Sequence, residues 1–384
     1  MTGFDQPVHG GDLCGIARDL GCEVSELLDF SANVNALGPP STLLDELARG
    51  AADRPALQRY PEPDGATLRT ALGVARGVEP EAVVIANGAA ALLETAIAAL
   101  GVRRCVVPVP AFSEDARALA ARGAHLCPLV LDGARGFVLE PEALVRAVRA
   151  YAADAVLLTN PHNPTGRLAN RETMRAAIAG ARTAGARAIV DEAFVDYAAA
   201  ASVTRDAARA DGTIVVRSLT KFYAVPALRV GYAVAEPALA RRMRALLPSW
   251  PVGTLEMRAL AAALRDDAYR DRTLEAAAHD RAALARELER RGFAITPSAA
   301  NFLLVRLRET DPHATVFRAR LARSANVVVR DCSSYAGLGD GRHVRIAVRG
   351  EADRARLLAG LDELAEAAVP ATERPGAGAP KSAR

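Results

Sequence analysis

Of the 48 basic residues in this chain of 384, only two are lysine, Lys221 and Lys381; the rest are arginine. Where lysine has given way to arginine wherever charge alone matters, a retained lysine points to chemistry that a guanidinium cannot do. An amine attacks a carbonyl only when deprotonated, and arginine stays charged. Lys381 lies in the Pro/Gly/Ala-rich stretch ATERPGAGAPKSAR, which leaves Lys221 as the candidate Schiff-base residue. It stands in RSLTKFYAVPALRVGY, after an expected strand ending at Ser218 and ahead of Arg229. An amine at a strand end, flanked by a hydroxyl and a guanidinium, suits a phosphorylated aldehyde. The amine forms the imine, while Ser218 and Arg229 hold the phosphate.

Other segments carry compatible chemistry. Asp191 opens DEAFVDY directly after the apolar run AIV. A carboxylate at the end of a buried strand needs a cationic partner, and a protonated pyridine nitrogen would be one; the same position also suits a helix N-cap. TNPHNPTGRL is a rigid loop with two Asn-Pro steps that can present Asn163 to a ring hydroxyl. Asn87, Gly88 and Ala89 open an apolar helix whose free amides suit a phosphate, or they form an ordinary strand-to-helix turn. Phe112, in PAFSEDARAL, can stack on an aromatic ring or belong to the core. Tyr60, in RYPEPDG, can offer a hydroxyl to a phosphate across a subunit interface or serve only the turn.

These residues need a scaffold of strands and helices. Short apolar strands are expected at 82–85, 105–109, 155–159, 188–190, 214–217 and 231–235, with helices at 67–76, 89–100, 111–122, 140–150 and 171–184. Such alternation implies a doubly wound, mostly parallel α/β sheet. A long helical stretch from about 237 to 291 and strands at 302–306, 327–330 and 344–348 suggest a smaller α+β second domain. The expected divisions are an arm with one helix at 13–20 (residues 1–45), a large domain (46–245), a small domain (246–366) and a disordered tail (367–384).

Composition narrows the class. With 51% hydrophobic and 24% charged residues, the chain is neither disordered nor fibrous. A net charge of +3 gives no clustered basic excess, so no nucleic-acid partner is expected. No stretch is long and apolar enough for a bilayer, and the start lacks the pattern of a signal peptide. Cys14, Cys22, Cys105, Cys127 and Cys332 form no CxxC pair and are odd in number. No disulfide framework or metal site is expected, and the cytoplasm is the expected compartment.

In this order, Asn163, Asp191, Ser218, Lys221 and Arg229 resemble the pyridoxal phosphate enzymes of fold type I, aminotransferase class I/II. The resemblance runs from about residue 9 to 365. It implies that Lys221 bears the cofactor, Asp191 pairs with the pyridine nitrogen and Asn163 bonds the ring oxygen. Ser218, Arg229 and the Asn87–Ala89 turn would hold the phosphate, with Tyr60 from the neighbouring subunit of a homodimer and Phe112 on the ring. Phe194 stands where the class usually has a tyrosine donor to the ring oxygen; Tyr197 and Tyr223 are the candidate substitutes. The segments HGGDL, DFSANVNALGPP and RDCSSYAGLGDGRHVRIAVR are similar to those of threonine-phosphate decarboxylases and, next, of histidinol-phosphate aminotransferases. That likeness implies a small phosphorylated amino acid as substrate, with decarboxylation of O-phospho-L-threonine in cobalamin biosynthesis as the expected reaction. Transamination, or another reaction of a diverged enzyme, is the alternative. His9, Gly10, Asn33 and Asn35 of the arm become candidate substrate contacts, or arm packing. Arg345 would grip the substrate carboxylate, and Arg330 and Arg349 its phosphate. Gly253 replaces a small polar residue of the relatives and is expected to alter substrate fit.

Overall fold

A computed structural model of the chain describes residues 10–368. Seven strands form the larger sheet: β1 (Val83–Ala86), β2 (Arg104–Val109), β3 (His125–Val130), β4 (Ala155–Thr159), β5 (Arg187–Asp191), β6 (Thr213–Ser218) and β7 (Gly231–Ala235). Their spatial order is β1-β7-β6-β5-β4-β2-β3. The run from β3 to β6 is parallel, and β7 is antiparallel to both its neighbours.

The apolar runs are continuous because both faces are covered. Side chains alternate between faces along each strand. Val107, Leu157, Ile189 and Val216 pack with Leu92, Leu93 and Ile97 of the helix Ala89–Leu100. Val106, Val156, Leu158 and Val190 pack against Leu144 and Val148 on one helix, Pro141–Tyr151, and Met174 and Ala177 on the next, Arg171–Thr183.

A four-stranded antiparallel sheet follows, ordered Arg330–Asp331, His343–Ala347, Phe302–Arg306, Ala294–Ile295. It buries Leu284, Phe317, Leu321 and Leu357 of three helices. The segment after Gly10 ties the two sheets together. Leu28–Asp29 pairs in parallel with Val327–Val328, and Phe30 is wholly buried in the smaller sheet's core. Further on, the Asn35 backbone N–H donates to the Lys221 carbonyl at 3.1 Å.

The expected helical stretch 237–291 is three helices: Pro237–Ala245, Thr254–Ala263 and Asp267–Arg290. Pro248, Pro251 and Gly253 interrupt the first junction, and Asp266 caps the third helix through the Tyr269 N–H. The helix Ser41–Ala52 runs across residue 45, and Val252, Met257 and Leu260 pack into a core beside the larger sheet. All five cysteines are free. Among the described residues no helix is long and apolar enough to cross a membrane. The proposed tail beyond residue 368 lies outside the described residues.

Candidate active site

Register brings the chemistry to one edge. Thr159 on β4 pairs with Asp191 at the end of β5, and Asp191 with Val216 on β6, so the loops leaving all three strands open on the same side. There a cavity of about 370 Å³ is lined by Asn163, Asp191, Ser218, Lys221 and Arg229, together with Gly88, Ala89 and Phe112. Gly10, Asn33 and Arg345 close it from the arm and the smaller sheet.

Each group is held locally. Asp191 is 5% exposed, and among the described residues its carboxylate accepts only the Ala193 N–H, at 2.8 Å. Burial pushes its carboxyl up to about 6, and neighbouring Glu192 adds to the shift. The Lys221 ammonium group makes no hydrogen bond or ion pair with a described residue. Desolvation, with Arg345 and Arg229 adding like charge, lowers the amine to about 8. The Ser218 and Thr220 hydroxyls lie 2.8 Å apart. Arg345 donates from Nη1 to Asn163 Oδ1 at 2.6 Å and from Nη2 to the Ser31 carbonyl at 3.1 Å. That contact uses the Asn163 oxygen and leaves its NH₂ as the free donor. Asn33 Oδ1 and Arg345 Nε are buried without partners.

A family model for class I and II aminotransferases matches residues 25–361. The threonine-phosphate decarboxylase of Salmonella typhimurium is 33% identical over 371 residues, covering 94% of this chain and 98% of that protein. The histidinol-phosphate aminotransferase of Methanocella arvoryzae is 27% identical over 361 residues, covering 93% and 95%. The chain belongs to the class I and II aminotransferase family. The crystal structure of histidinol-phosphate aminotransferase from Sinorhizobium meliloti in complex with pyridoxal-5'-phosphate shares the fold, with a TM-score of 0.83 at 22% identity over 95% of this chain and 96% of that one.

The cofactor of this aminotransferase-family protein is pyridoxal 5'-phosphate, and the cavity fits it. Asp191 is a buried carboxylate short of a cation, and a pyridinium N–H supplies one. Gly88 has φ +83° and opens Ala89–Leu100, and a Cβ there would stand 2.9 Å from Arg229 Nη2. Bare backbone and a guanidinium thus face each other, as a phosphate cradle requires.

Several sequence expectations need correction. Asn87 is exposed and does not line the cavity; in its turn, Gly88 and Ala89 face inward. Tyr60, expected to serve the neighbouring subunit, needs no such correction: it is 79% exposed, its ring stacked on Trp250 at 4.4 Å, outside the cavity of its own chain. Arg330 and Arg349 stand behind the lining: Arg330 lies over the Tyr335 ring and bonds Ser334, and Arg349 pairs with Asp353 at 2.6 Å. Gly253 is the N-cap of Thr254–Ala263 and is not among the lining residues. Asn35 is arm packing, its amide buried against Phe222 and Tyr269. Neither Tyr197 nor Tyr223 takes the missing donor's place, since both pack in aromatic clusters off the cavity. Phe194 does line it, edge-on to Phe302 at 5.0 Å. His9 lies outside the described residues.

Sequence reading also missed Ser31, Glu114 and Thr220, which line the cavity. Ser31 and Thr220 carried a signal, as polar residues beside Asn33 and Lys221. Glu114 carried none, because an acid in the first turn of a helix is ordinary.

Proposed function

We propose that this protein decarboxylates O-phospho-L-threonine to (R)-1-amino-2-propanol O-phosphate, a step of cobalamin biosynthesis. The observation that carries this reading is the convergence of the arm on the cavity. Gly10, Ser31 and Asn33 line it opposite Lys221, in a chain alike over nearly its whole length to a threonine-phosphate decarboxylase. The unpartnered Asn33 carbonyl and Arg345 Nε are the polar groups left for a substrate.

The bound cofactor supplies an electron sink for the bond broken at Cα. Asp191, as a carboxylate, keeps a proton on the ring nitrogen and so maintains that sink. The Asn163 NH₂, fixed by Arg345, holds the ring oxygen. Ser218, Arg229 and the amides after Gly88 bind the cofactor's phosphate. Arg345 orients the substrate carboxylate. Lys221, in its ammonium form, would return a proton to Cα in place of the lost CO₂.

A homodimer belongs to this proposal, with Tyr60 reaching the cavity of the other subunit. Transamination of histidinol phosphate is the second reading, favoured by the likeness to that enzyme. Product analysis separates them. Cofactor-loaded protein given O-phospho-L-threonine without any oxo acid yields the phosphorylated aminopropanol, and Lys221→Ala yields none. Conversion of the cofactor to its amine form by histidinol phosphate, with no amine product from phosphothreonine, would assign the aminotransferase instead.

A further inference from the structure

Ser218 ends β6 in the catalytic cavity, and its neighbour Arg217 turns to the opposite face of the sheet. Two adjoining hollows lie there, of about 280 and 540 Å³, sharing Arg171 and Arg205 as walls. Arg76 and Arg217 also line the first, and Arg175 and Arg209 the second. Across both hollows six arginines face one lining carboxylate, Asp206.

What sets this cleft apart is the number of arginines, six against the three of the hollow lined by Arg182, Arg187 and Arg242. Some arginines elsewhere are matched by two carboxylates, as Arg270 is by Asp267 and Asp271, and Arg291 by Glu287 and Asp362, and others, such as Arg182 and Arg242, pair with no described carboxylate but do not gather six to a cleft. Here Arg171 and Arg175 share Asp206, at 3.0 and 2.5 Å. Arg76 and Arg217 share Asp196, at 2.9 and 2.7 Å. Arg205 Nε donates only to the Arg76 carbonyl, at 3.0 Å, and neither Arg205 nor Arg209 pairs with a described carboxylate. Arg217 is 2% exposed, and its Nε is buried without a hydrogen-bond partner. Glu192, 3.9 Å from Arg217 and held by Ser202, Val203 and Thr204, adds a third carboxylate, so the six arginines face Asp196, Asp206 and Glu192. The carboxylates therefore leave a concave excess of positive charge, which draws in an anion. Guanidinium forks favour phosphate oxygens, and Arg171 and Arg205, shared by both hollows, offer them to one ligand on either side.

We propose that this cleft is a binding site for a small polyphosphate, the group that nucleoside triphosphates and inorganic tripolyphosphate have in common. It shares no lining residue with the catalytic cavity.

The test is calorimetric titration of the cofactor-loaded full chain with tripolyphosphate, ATP and AMP over a range of salt. Tripolyphosphate and ATP should bind at least about tenfold more tightly than AMP, with affinity falling steeply as salt rises. The double variant Arg205→Ser/Arg209→Ser, at two exposed positions, should lose about tenfold or more while keeping its melting temperature. ATP binding more tightly than tripolyphosphate would assign a nucleotide, and equal affinity an inorganic polyphosphate. Absence of binding at millimolar concentration, undiminished binding by the variant, or tighter binding of a single-stranded oligonucleotide would overturn the proposal. Arg209→Ser alone, far from the buried pairs, repeats the test should the double variant fold poorly.

Discussion

At the residue scale the site rests on two buried groups whose ionisation is displaced in opposite directions. The Lys221 amine is lowered from 10.5 to about 8, mostly by desolvation and then by Arg345 and Arg229. More of it is therefore neutral near pH 7.5 than an ordinary lysine would allow. In cofactor-free protein, acetylation of Lys221 followed by peptide mapping should show a midpoint near 8. Arg345→Gln, which removes a like charge, should move that midpoint up; a wild-type midpoint near 10.5 would contradict the account. Asp191 is raised from 3.8 to about 6. Between those values the folded state holds a proton that the unfolded state has lost, so stability falls as pH rises through the window. Above pH 6 the lone carboxylate costs the cofactor-free protein about 1–3 kcal/mol. Asp191→Asn should thus melt higher than wild type without cofactor at pH 7–8, and the difference should shrink at pH 4. The same variant should lose on the order of 10²–10³ in kcat, since no anion then holds the ring proton. A variant that melts lower at pH 7–8, or keeps full activity, would argue against a buried, cofactor-pairing Asp191.

At the element scale the lysine loop is held by the arm. Asn35 Nδ2 lies 2.9 Å from the Phe222 carbonyl, 2.8 Å from the Tyr269 hydroxyl and 3.1 Å from Thr273 Oγ1. Asn35→Ala leaves buried polar groups unpaired and should cost about 1–3 kcal/mol, read from the denaturation midpoint. An unchanged midpoint would mean that the arm does not brace the loop. The legibility of the fold follows the same physics. Ala89–Leu100, Ala155–Thr159 and Gly231–Ala235 stand in the structure with the bounds expected from their apolar runs. Strand β3 did not stand out, because His125–Val130 is an edge strand, partly exposed and interrupted by Pro128. The terminal helix Glu351–Ala368 was likewise missed. The breaks in 237–291 were masked by alanine-rich helical composition on both sides. In the site, Asp191 and Ser218 were legible because they end apolar strands, and Asn163 and Lys221 because they stand in the loops that follow such strands. Asn87, Arg330 and Arg349 were misplaced because a side chain's direction depends on tertiary packing that spacing does not encode.

At the scale of the whole molecule, two sheets and an arm meet at one cavity, and the reaction depends on which Cα bond that cavity aligns. The arm and Arg345 bring polar groups to the substrate side, and the larger sheet supplies the cofactor side. The most direct measurement is release of labelled CO₂ from carboxyl-¹³C O-phospho-L-threonine by the cofactor-loaded protein, with no oxo acid present, counted per active site. Many equivalents are expected, abolished in Lys221→Ala and absent with L-threonine. Release of one equivalent or less, with the carboxyl label retained in an oxo acid, would contradict it.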